Sequence, residues 1–307
     1  MASRTTNQQE PGHPGPGHDI HRERPGMEDY KICHIPSARY IDLMRLCPAQ
    51  MPYIPSSIPT LQDFQKTLRS LGVNAGSHVV LYETAKLLPF AAPRLWWMLK
   101  AFGHKKVSVL NGGLKAWQDA GFPVTAEELP AQEGDISLTV DPSLMVTFDE
   151  LAEIRSKGDT QILDTRPHEN YTGKEEEPST LLKMIMPAVG LDPSALSDIK
   201  TGTIPGAKNL PYPLMFGSDL VSVRPVNQLR ELFSWASVDL TKPLMTTCYV
   251  GYTACMVAMA AYLCGNTKVS VYYGSWVEYG QRASKDQVTL GPQAEVEPPY
   301  NIVFPSA

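Results

Sequence analysis

The sequence has no long hydrophobic run, no basic cluster and no closely spaced pair of cysteines. None of its apolar stretches approaches the roughly 20 residues of a membrane-spanning helix, so we expect no membrane contact. Its formal net charge is −5, which gives no reason to expect nucleic-acid binding. The cysteines are odd in number and lack C-x-x-C spacing, which argues against a disulfide framework or a zinc site. They are Cys33, Cys47, Cys248, Cys255 and Cys264.

The N-terminal residues 1–30 lack the apolar core of a secretory signal and are rich in Pro, Gly and His. We expect them to form a disordered tail, because His13, His18 and His21 have no rigid spacing that would favour metal binding. Free thiols suit a reducing compartment, so we predict a cytoplasmic protein. Mitochondria are the alternative location, although the acidic residues of the tail are not typical of a presequence.

The 307 residues are enough for two domains, and the sequence contains two copies of one pattern. Three pairs of segments recur in the same order along the chain: HIPSA (34–38) with TIPGA (203–207), LLPFAAPRLWWMLKAFG (87–103) with YVGYTACMVAMAAYLCG (249–265), and VSVLNGG (107–113) with VSVYYGS (269–275). A repeat of this length indicates a duplicated domain, since the repeats of solenoid proteins are far shorter.

Each copy alternates short apolar strands with helices. The predicted strands are residues 78–83, 106–110, 160–165, 242–247 and 268–273, and the predicted helices are 91–101 and 253–264. The second of these helices is apolar nearly all round and should be buried. This alternation predicts an α/β fold in which each domain has a mainly parallel sheet flanked by helices. The turn-rich residues 131–146 are the predicted linker.

Cys248 occupies a position that suits a reactive thiol. It directly follows the strand 242–247 and precedes the buried helix, with Gly251 in between. Ligands of parallel α/β sheets bind beyond the carboxyl ends of the strands, and backbone N–H groups there favour an anionic, nucleophilic thiolate. Packing as a small buried hydrophobe is the alternative for any cysteine. It is the better interpretation for Cys255 and Cys264, which lie inside the helix.

Several segments, taken together, match the pattern of one known family: CHIPSARYIDL, APRLWWMLKAFGHKKVSVLNGGLKAWQDAGFPV, ILDTRPHENYTG, GTIPGAKNLPY, and KPLMTTCYVGYTACMVAMAAYLCG followed by VSVYYGSWVEYGQR. Over residues 33–290 the chain resembles the tandem-domain rhodanese family, which includes thiosulfate and 3-mercaptopyruvate sulfurtransferases. The resemblance implies a non-catalytic rhodanese-like domain at 31–130, a catalytic one at 147–290, and a C-terminal tail at 291–307. Glu83 lies near the first-domain position that corresponds to the catalytic cysteine, and the family's first strand is not recognisable ahead of HIPSA.

The resemblance also implies a mechanism. In this family a cysteine thiolate takes the outer sulfur of a donor and becomes a persulfide, from which a second nucleophile removes that sulfur. For this chain it implies Cys248 as the catalytic residue, 3-mercaptopyruvate or thiosulfate as the small-molecule donor, and no cofactor. A thiol or cyanide would be the acceptor, with a thioredoxin-like protein among the candidates. The residues expected to bind substrate are Tyr249, Val250, Gly251, Tyr252, Thr253, Asp164 and Arg166.

The chain departs from the family pattern at the residues that hold an anionic donor. Its loop after the cysteine has neither the Arg-Lys nor the Gly-Ser pair that is usual in the family, and Asn170 and Ser179 stand where the family has arginines. Each lost charged hydrogen bond would weaken the binding of an anion by about 1.5–3 kcal/mol. Arg166 remains as an anchor for the donor, unless it forms a structural ion pair with Asp164.

Two functions therefore stay open. The first is sulfur transfer through Cys248, with Lys86 or Arg94 of the first domain as further candidates to contact the donor, although a solvated loop position is the preferred interpretation for Lys86. The second is a catalytically weak relative that binds a partner or senses redox state. A cysteine phosphatase is not expected, because Ala254 occupies the position of the arginine that would grip phosphate. Residues 177–199 form a longer segment than the family usually has, either a lid over the cleft or a surface loop.

Overall fold

The computed structural model describes residues 25–47, 57–84, 89–180, 183, 196, 198–293 and 297–300. Within these residues the helices are α1 (Pro25–Ile32), α2 (Leu43–Leu46), α3 (Leu61–Ser70), α4 (Ala91–Ala101), α5 (Gly113–Asp119), α6 (Phe148–Lys157), α7 (His168–Thr172), α8 (Val226–Trp235), α9 (Tyr252–Leu263) and α10 (Ser275–Arg282). The strands are β1 (Val79–Leu81), β2 (Val107–Val109), β3 (Met145–Val146), β4 (Gln161–Asp164), β5 (Lys208–Asn209), β6 (Leu244–Thr247) and β7 (Val269–Tyr272).

The second domain is built on five parallel strands in the order β3-β7-β6-β4-β5. β6 lies at the centre, and all four of its residues are buried. Just beyond β4, the N–H of Thr165 donates to the carbonyl of Thr247 at the end of β6 (2.8 Å). Parallel strands place their carboxyl ends at one edge of the sheet, so the loop after β6 lies beside the loop after β4.

The first domain keeps the central pair of strands but has fewer neighbours around it. In the part of this domain that the structure describes, β1 pairs in parallel with β2 and with no other strand. Val80 of β1 is 58% exposed, whereas Met245, at the matching position of β6, is fully buried. The face of β1 that carries Val80 is therefore exposed, whereas the matching face of β6 is covered.

A hydrophobic core joins the two domains. Helix α4 packs against α9 and contributes bulky side chains such as Trp97 and Met98, while α9 contributes small ones such as Ala258 and Ala260. Large side chains on one helix and small ones on the other allow the two helices to pack closely. A second core, formed by second-domain residues, fills the other face of the five-stranded sheet.

The predicted strands and helices of both copies are present, and their ends differ from the prediction by no more than two residues. Nine residues of α9 are buried, as its apolar sequence predicts. The predicted α/β fold with parallel sheets flanked by helices is confirmed. The pattern was readable because the strands of a parallel sheet are short continuous apolar runs.

Two predicted boundaries differ from the structure. Pro25–Ile32 forms α1, so helical structure begins inside the segment that was expected to be the polar tail. The predicted linker 131–146 packs on the first domain, where the buried Ile136 bonds through its N–H to the carbonyl of Val73 (3.2 Å), and it ends in β3. Ile136 and Leu138 alternate with polar residues, and burying both in the core stabilises this course of the chain.

Some predictions concern residues outside the described part of the chain. These are the tail up to residue 24, the lid or loop alternatives for most of 177–199, the end of the C-terminal tail from 301, and Lys86. Among the helices that are described, none has the length and apolar character needed to cross a membrane.

Candidate active site

Cys248 lies at the carboxyl end of β6, in the loop that leads into α9. Its Sγ accepts a hydrogen bond from the N–H of Gly251 at 3.1 Å. Its own N–H donates to Ser275 Oγ at 3.2 Å, and this hydroxyl lies 3.9 Å from the sulfur. The residue is 1% exposed. The sulfur therefore accepts a backbone N–H at the N-terminus of a buried helix, which favours a negative charge on it.

Two left-handed backbone conformations shape this loop. Gly251 has φ +82°, and a Cβ there would lie 2.5 Å from the carbonyl oxygen of Tyr273, so the position requires glycine. Ser275 has φ +53°, which is uncommon for a residue with a side chain. The neighbouring Trp276 donates its N–H to the carbonyl of Cys248 at 2.9 Å, which ties the loop to the start of α10. Strain of this kind persists where the surrounding contacts hold it.

Two other titratable groups near the sulfur remain protonated. Burial raises the pKa of Tyr212 to about 12, and the nearby Cys248 adds to that rise. Burial also raises the pKa of Cys255 to about 12, and its thiol donates to the carbonyl of Gly251 at 3.1 Å. Cys255 is thus a protonated hydrogen-bond donor near neutral pH and not a nucleophile, in agreement with its predicted packing role.

The first domain contains the same corner with a carboxylate in place of the thiol. Leu114 donates its N–H to the carbonyl of Glu83 (3.0 Å), as Trp276 does to that of Cys248. The Glu83 carboxylate accepts a hydrogen bond from the N–H of Ala92 at 2.7 Å, at the start of α4. Burial raises the pKa of Glu83, and backbone hydrogen bonds to the carboxylate oppose that rise. Glu83 therefore occupies the position equivalent to Cys248, and the corner accommodates an acidic group in both domains.

Arg166 and Asp164 form a buried ion pair at the end of β4 (2.6 Å). The Arg166 guanidinium also pairs with Glu177 (3.3 Å), donates to the carbonyl of Gly202 (2.6 Å) and stacks on Trp276 (4.2 Å to the ring centroid). Every guanidinium nitrogen donates within this network. Arg166 therefore forms the structural ion pair with Asp164. Because its guanidinium nitrogens are all engaged in this network, the expectation that Arg166 holds the donor does not fit the structure.

Neutral side chains and carboxylates occupy the region where the family has arginines. Asn170 is buried, and its Nδ2 donates to Glu175 (3.0 Å) and Glu177 (3.4 Å). The N–H of Ser179 donates to Glu177 (2.7 Å). Burial raises the pKa of Glu177, and the charge of Arg166 acts in the opposite direction. Two carboxylates around one guanidinium give this region no surplus positive charge for an anionic donor.

The loop residues that were predicted to bind substrate differ in their exposure. Val250 and Thr253 are partly exposed, whereas Tyr249, Gly251 and Tyr252 are buried. The ring of Tyr249 packs in the second-domain core, and that of Tyr252 contributes to the core that joins the domains. Among these residues, the loop therefore exposes parts of two small uncharged side chains.

Two residues of the site were missed by the sequence patterns. Tyr212 lies in the NLPY segment, whose role the patterns do not specify. Ser275 aligns with Gly113 of the first copy, which has φ +58°; a serine at a position that requires left-handed backbone is the signal that identifies it. Arg94, a candidate from the sequence, does reach the second domain, where it donates to the carbonyl of Gly251 (3.0 Å).

Comparison with known proteins identifies the family. The family model of the rhodanese-like domain matches residues 23–120 and 147–282. The chain belongs to the rhodanese-like domain family. Both halves of the duplicated pattern are covered, and the second match contains Cys248.

The relatives of this rhodanese-like protein include named sulfurtransferases. The chain is 37% identical to the thiosulfate sulfurtransferase of Gallus gallus over 85% of this chain and 83% of that one. It is 34% identical to the 3-mercaptopyruvate sulfurtransferase of Rattus norvegicus over 86% and 83%. The solved structure of Escherichia coli SseA, described as a 3-mercaptopyruvate sulfotransferase with the rhodanese fold, gives a TM-score of 0.65 at 28% identity and covers 83% of this chain and 89% of that one. These matches place the chain among the sulfurtransferases of the family.

Proposed function

We propose that this rhodanese-like protein moves a sulfane sulfur from a small donor to a nucleophilic acceptor through a persulfide on Cys248. The observation that carries the proposal is the 3.1 Å hydrogen bond from the N–H of Gly251 to Cys248 Sγ at the start of α9. The equivalent corner of the first domain holds the Glu83 carboxylate against the start of α4. A corner that accommodates an acidic group in one domain suits a thiolate and a persulfide anion in the other.

In the first step the Cys248 thiolate attacks the outer sulfur of the donor. A sulfur–sulfur bond to Cys248 forms, and the bond between that sulfur and the rest of the donor breaks. Thiosulfate departs as sulfite with the electron pair of the broken bond. 3-Mercaptopyruvate departs as pyruvate, with its thiol proton transferred to carbon. In both cases one thiolate charge becomes one persulfide charge, so the same backbone donors stabilise the cysteine before and after the step.

In the second step an acceptor attacks the terminal sulfur of the persulfide. Cyanide leaves as thiocyanate and a thiolate leaves as a new persulfide, and each regenerates the Cys248 thiolate. Small thiols and a thioredoxin-like protein are the acceptors that we propose. All five cysteines are free thiols, which supports our proposal of a reducing, cytoplasmic environment.

We expect 3-mercaptopyruvate to be the better donor. Thiosulfate carries two negative charges, whereas 3-mercaptopyruvate with a protonated thiol carries one. The partly exposed loop side chains Val250 and Thr253 are uncharged, and Glu175 and Glu177 occupy the region where the family resemblance implies arginines that would attract an anion. Both features disfavour the donor with the higher charge.

The test is intact mass spectrometry of the purified protein after incubation with each donor. We expect a gain of one sulfur atom, larger with 3-mercaptopyruvate than with thiosulfate, and loss of that gain on addition of cyanide. The matched control is Cys255→Ser, which alters a buried thiol of the same loop and helix and should still gain sulfur. Cys248→Ser should gain none. A Cys248→Ser protein that gains sulfur as the wild type does would overturn the proposal.

A second candidate function is a catalytically weak relative that binds a partner or senses redox state. It is favoured by Asn170 and Ser179 at the arginine positions and by the engagement of Arg166 with Asp164. No sulfur gain from either donor at millimolar concentration, with Cys248 intact and the protein folded, would favour this function over sulfur transfer.

A further inference from the structure

A buried cation of the first domain reaches the loop that carries the catalytic thiol. Arg94 lies on α4 and is 0% exposed. Its Nη1 donates to the carbonyl of Gly251 at 3.0 Å, and its Nη2 donates to the carbonyl of Ser57 at 3.1 Å. Gly251 is also the residue whose N–H contacts Cys248 Sγ. A single residue of the loop therefore connects the guanidinium to the sulfur.

Arg94 has no carboxylate partner among the residues that the structure describes. Its described neighbours are the rings of Trp97 (4.9 Å) and Tyr252 (5.3 Å) and the sulfur of Cys255 (3.9 Å), and its Nε has no hydrogen-bond partner there. Moving a charge out of water is strongly unfavourable unless an opposite charge compensates it. This buried guanidinium contacts Gly251, the residue whose N–H binds Cys248 Sγ, so an anionic sulfur at Cys248 would supply the missing charge.

The other titratable groups around the two residues do not supply that charge. Those that face Arg94 lie on α9, after α2 and after β7, and those that face Cys248 lie on α9 and after β5. Burial raises the pKa of four of these groups, so they stay neutral near pH 7. The four are Cys47, Cys255, Tyr212 and Tyr273. The phenol of Tyr252 also faces the guanidinium.

We propose that Arg94 is a positioning residue that supplies the counter-charge for the anionic sulfur of Cys248 across the domain interface. The proposal rests on the proposed use of Cys248 in sulfur transfer. The guanidinium acts in two ways: it fixes the carbonyl of Gly251, which keeps the N–H of that residue directed at the sulfur, and its charge acts over a short, dry path. The first domain thus contributes to catalysis although its own corner holds Glu83.

The test compares Arg94→Gln and Arg94→Lys with the wild type. Glutamine keeps a donor for a carbonyl but removes the charge, and lysine keeps the charge but not the two-pronged geometry. The matched control is Arg69→Gln, since Arg69 is a partly buried first-domain arginine that donates to the carbonyl of Ile136 (2.8 Å). Circular dichroism and thermal unfolding check that each variant is folded.

The first readout is alkylation of Cys248 by iodoacetamide, a neutral reagent, followed by peptide mass spectrometry. We expect Arg94→Gln to slow alkylation about tenfold at about pH 6 and less than about threefold at about pH 9. Arg94→Lys should slow it about threefold at both pH values because the loop is held less firmly. Arg69→Gln should be alkylated at the wild-type rate at both pH values.

The second readout is sulfur gain from 3-mercaptopyruvate under the same conditions, and it should follow the same order. A wild-type protein that gains no sulfur, together with slower alkylation of Arg94→Gln at the lower pH, would refute sulfur transfer and leave the role of Arg94 standing. An Arg94→Gln protein that is alkylated at the wild-type rate, or an Arg69→Gln protein that is slowed equally, would overturn that role. If Arg94→Gln does not fold, wild-type rates for Arg94→Lys at both pH values overturn it.

Discussion

The two domains share one strand-to-helix corner but place different groups in it. In the second domain the corner holds Cys248 at the start of α9, and in the first it holds Glu83 at the start of α4. The backbone bonds that close the corner are the same, from Leu114 in one domain and Trp276 in the other. The backbone therefore determines that an acidic group fits, and the side chain determines whether that group can act as a nucleophile.

The domains differ more in their cores than in their corners. The five-stranded sheet has a hydrophobic core on both faces, whereas the described residues of the first-domain sheet join the core that lies between the domains. Helix α4, most of whose residues are buried, packs against α9 of the second domain. The first domain thus packs on the second, and its buried Arg94 donates to the carbonyl of Gly251 in the loop after β6.

The largest expected difference between the two corners is in turnover, and it is tested by changing the acidic group in each of them. Cys248→Ser should lower turnover by at least about a thousandfold, because serine is a far weaker nucleophile at neutral pH. Glu83→Gln should leave turnover within about threefold of the wild type, because a carboxylate in place of the thiol gives the first-domain corner no sulfur nucleophile. Steady-state assays with 3-mercaptopyruvate and cyanide measure both effects. A comparable loss in the two variants would contradict the assignment of catalysis to one corner.

The next test concerns matching positions in β6 and β1. Met245→Ala should lower the free energy of unfolding by about 2–5 kcal/mol, because Met245 is fully buried and its removal leaves a cavity. Val80→Ala should change it by no more than about 0.5 kcal/mol, since Val80 is 58% exposed. Urea unfolding followed by fluorescence measures both. A large loss for Val80→Ala would mean that the first-domain face is covered in solution.

A third test compares two glycines with similar backbone conformations. Gly251 has φ +82° and close neighbours, whereas Gly121 has φ +76° and no atom within 4 Å of the point that a Cβ would occupy. Gly251→Ala should lower the free energy of unfolding by about 1–3 kcal/mol and turnover about a hundredfold, because the loop must shift.

Gly121→Ala is the control for backbone strain alone. It should lower the free energy of unfolding by about 1–2 kcal/mol, the cost of a left-handed alanine, and leave turnover unchanged. Thermal unfolding and steady-state turnover are measured on the same preparations. Equal turnover in the two variants would show that the close contacts around Gly251 do not affect catalysis.

The smallest expected effect is on the pH dependence of stability. The pKa of Glu83 in the folded protein is raised above 4.5, so its stabilising contribution is fully present below that value and is lost as the pH rises through the raised pKa. Relative to Glu83→Gln, the wild type should therefore become less stable as the pH increases over this mildly acidic range. Urea unfolding at several pH values measures the difference. Glu133→Gln, at an exposed position, should follow the wild-type curve, and parallel curves for Glu83→Gln would contradict the raised pKa.

Much of the fold follows from short-range patterns. The apolar runs of β1, β2, β6 and β7 and the apolar helix α9 are readable because burial on all sides leaves an uninterrupted hydrophobic stretch. The position of Cys248 between a strand and a helix follows from the same patterns. The course of the predicted linker 131–146 was harder to predict. Its sequence is rich in turn-forming residues, and the role of Ile136 and Leu138 is visible only when the core that buries them is known.

The partners of the charged residues were not readable in the same way. Arg166 is two residues from Asp164, but whether it holds a substrate or this carboxylate depends on Glu177 and Gly202, which approach it only in the folded chain. Asn170 likewise gives no sign in the sequence that two carboxylates share its amide. Contacts between residues distant in the chain depend on packing, which local patterns do not encode.

The sequence by itself determined the duplication, the α/β class and the placement of one thiol at a strand-to-helix corner, because each of these depends on local periodicity and on the conformational demands of glycine. Only the tertiary structure decided which cation contacts the loop that contains Cys248 and Gly251. Arg166 is neutralised by carboxylates of its own domain, whereas Arg94, from the other domain, is left with the Gly251 carbonyl and no described counter-ion. The physical reason is that an ion's role is determined by the charges that share its buried environment, and folding determines which charges those are.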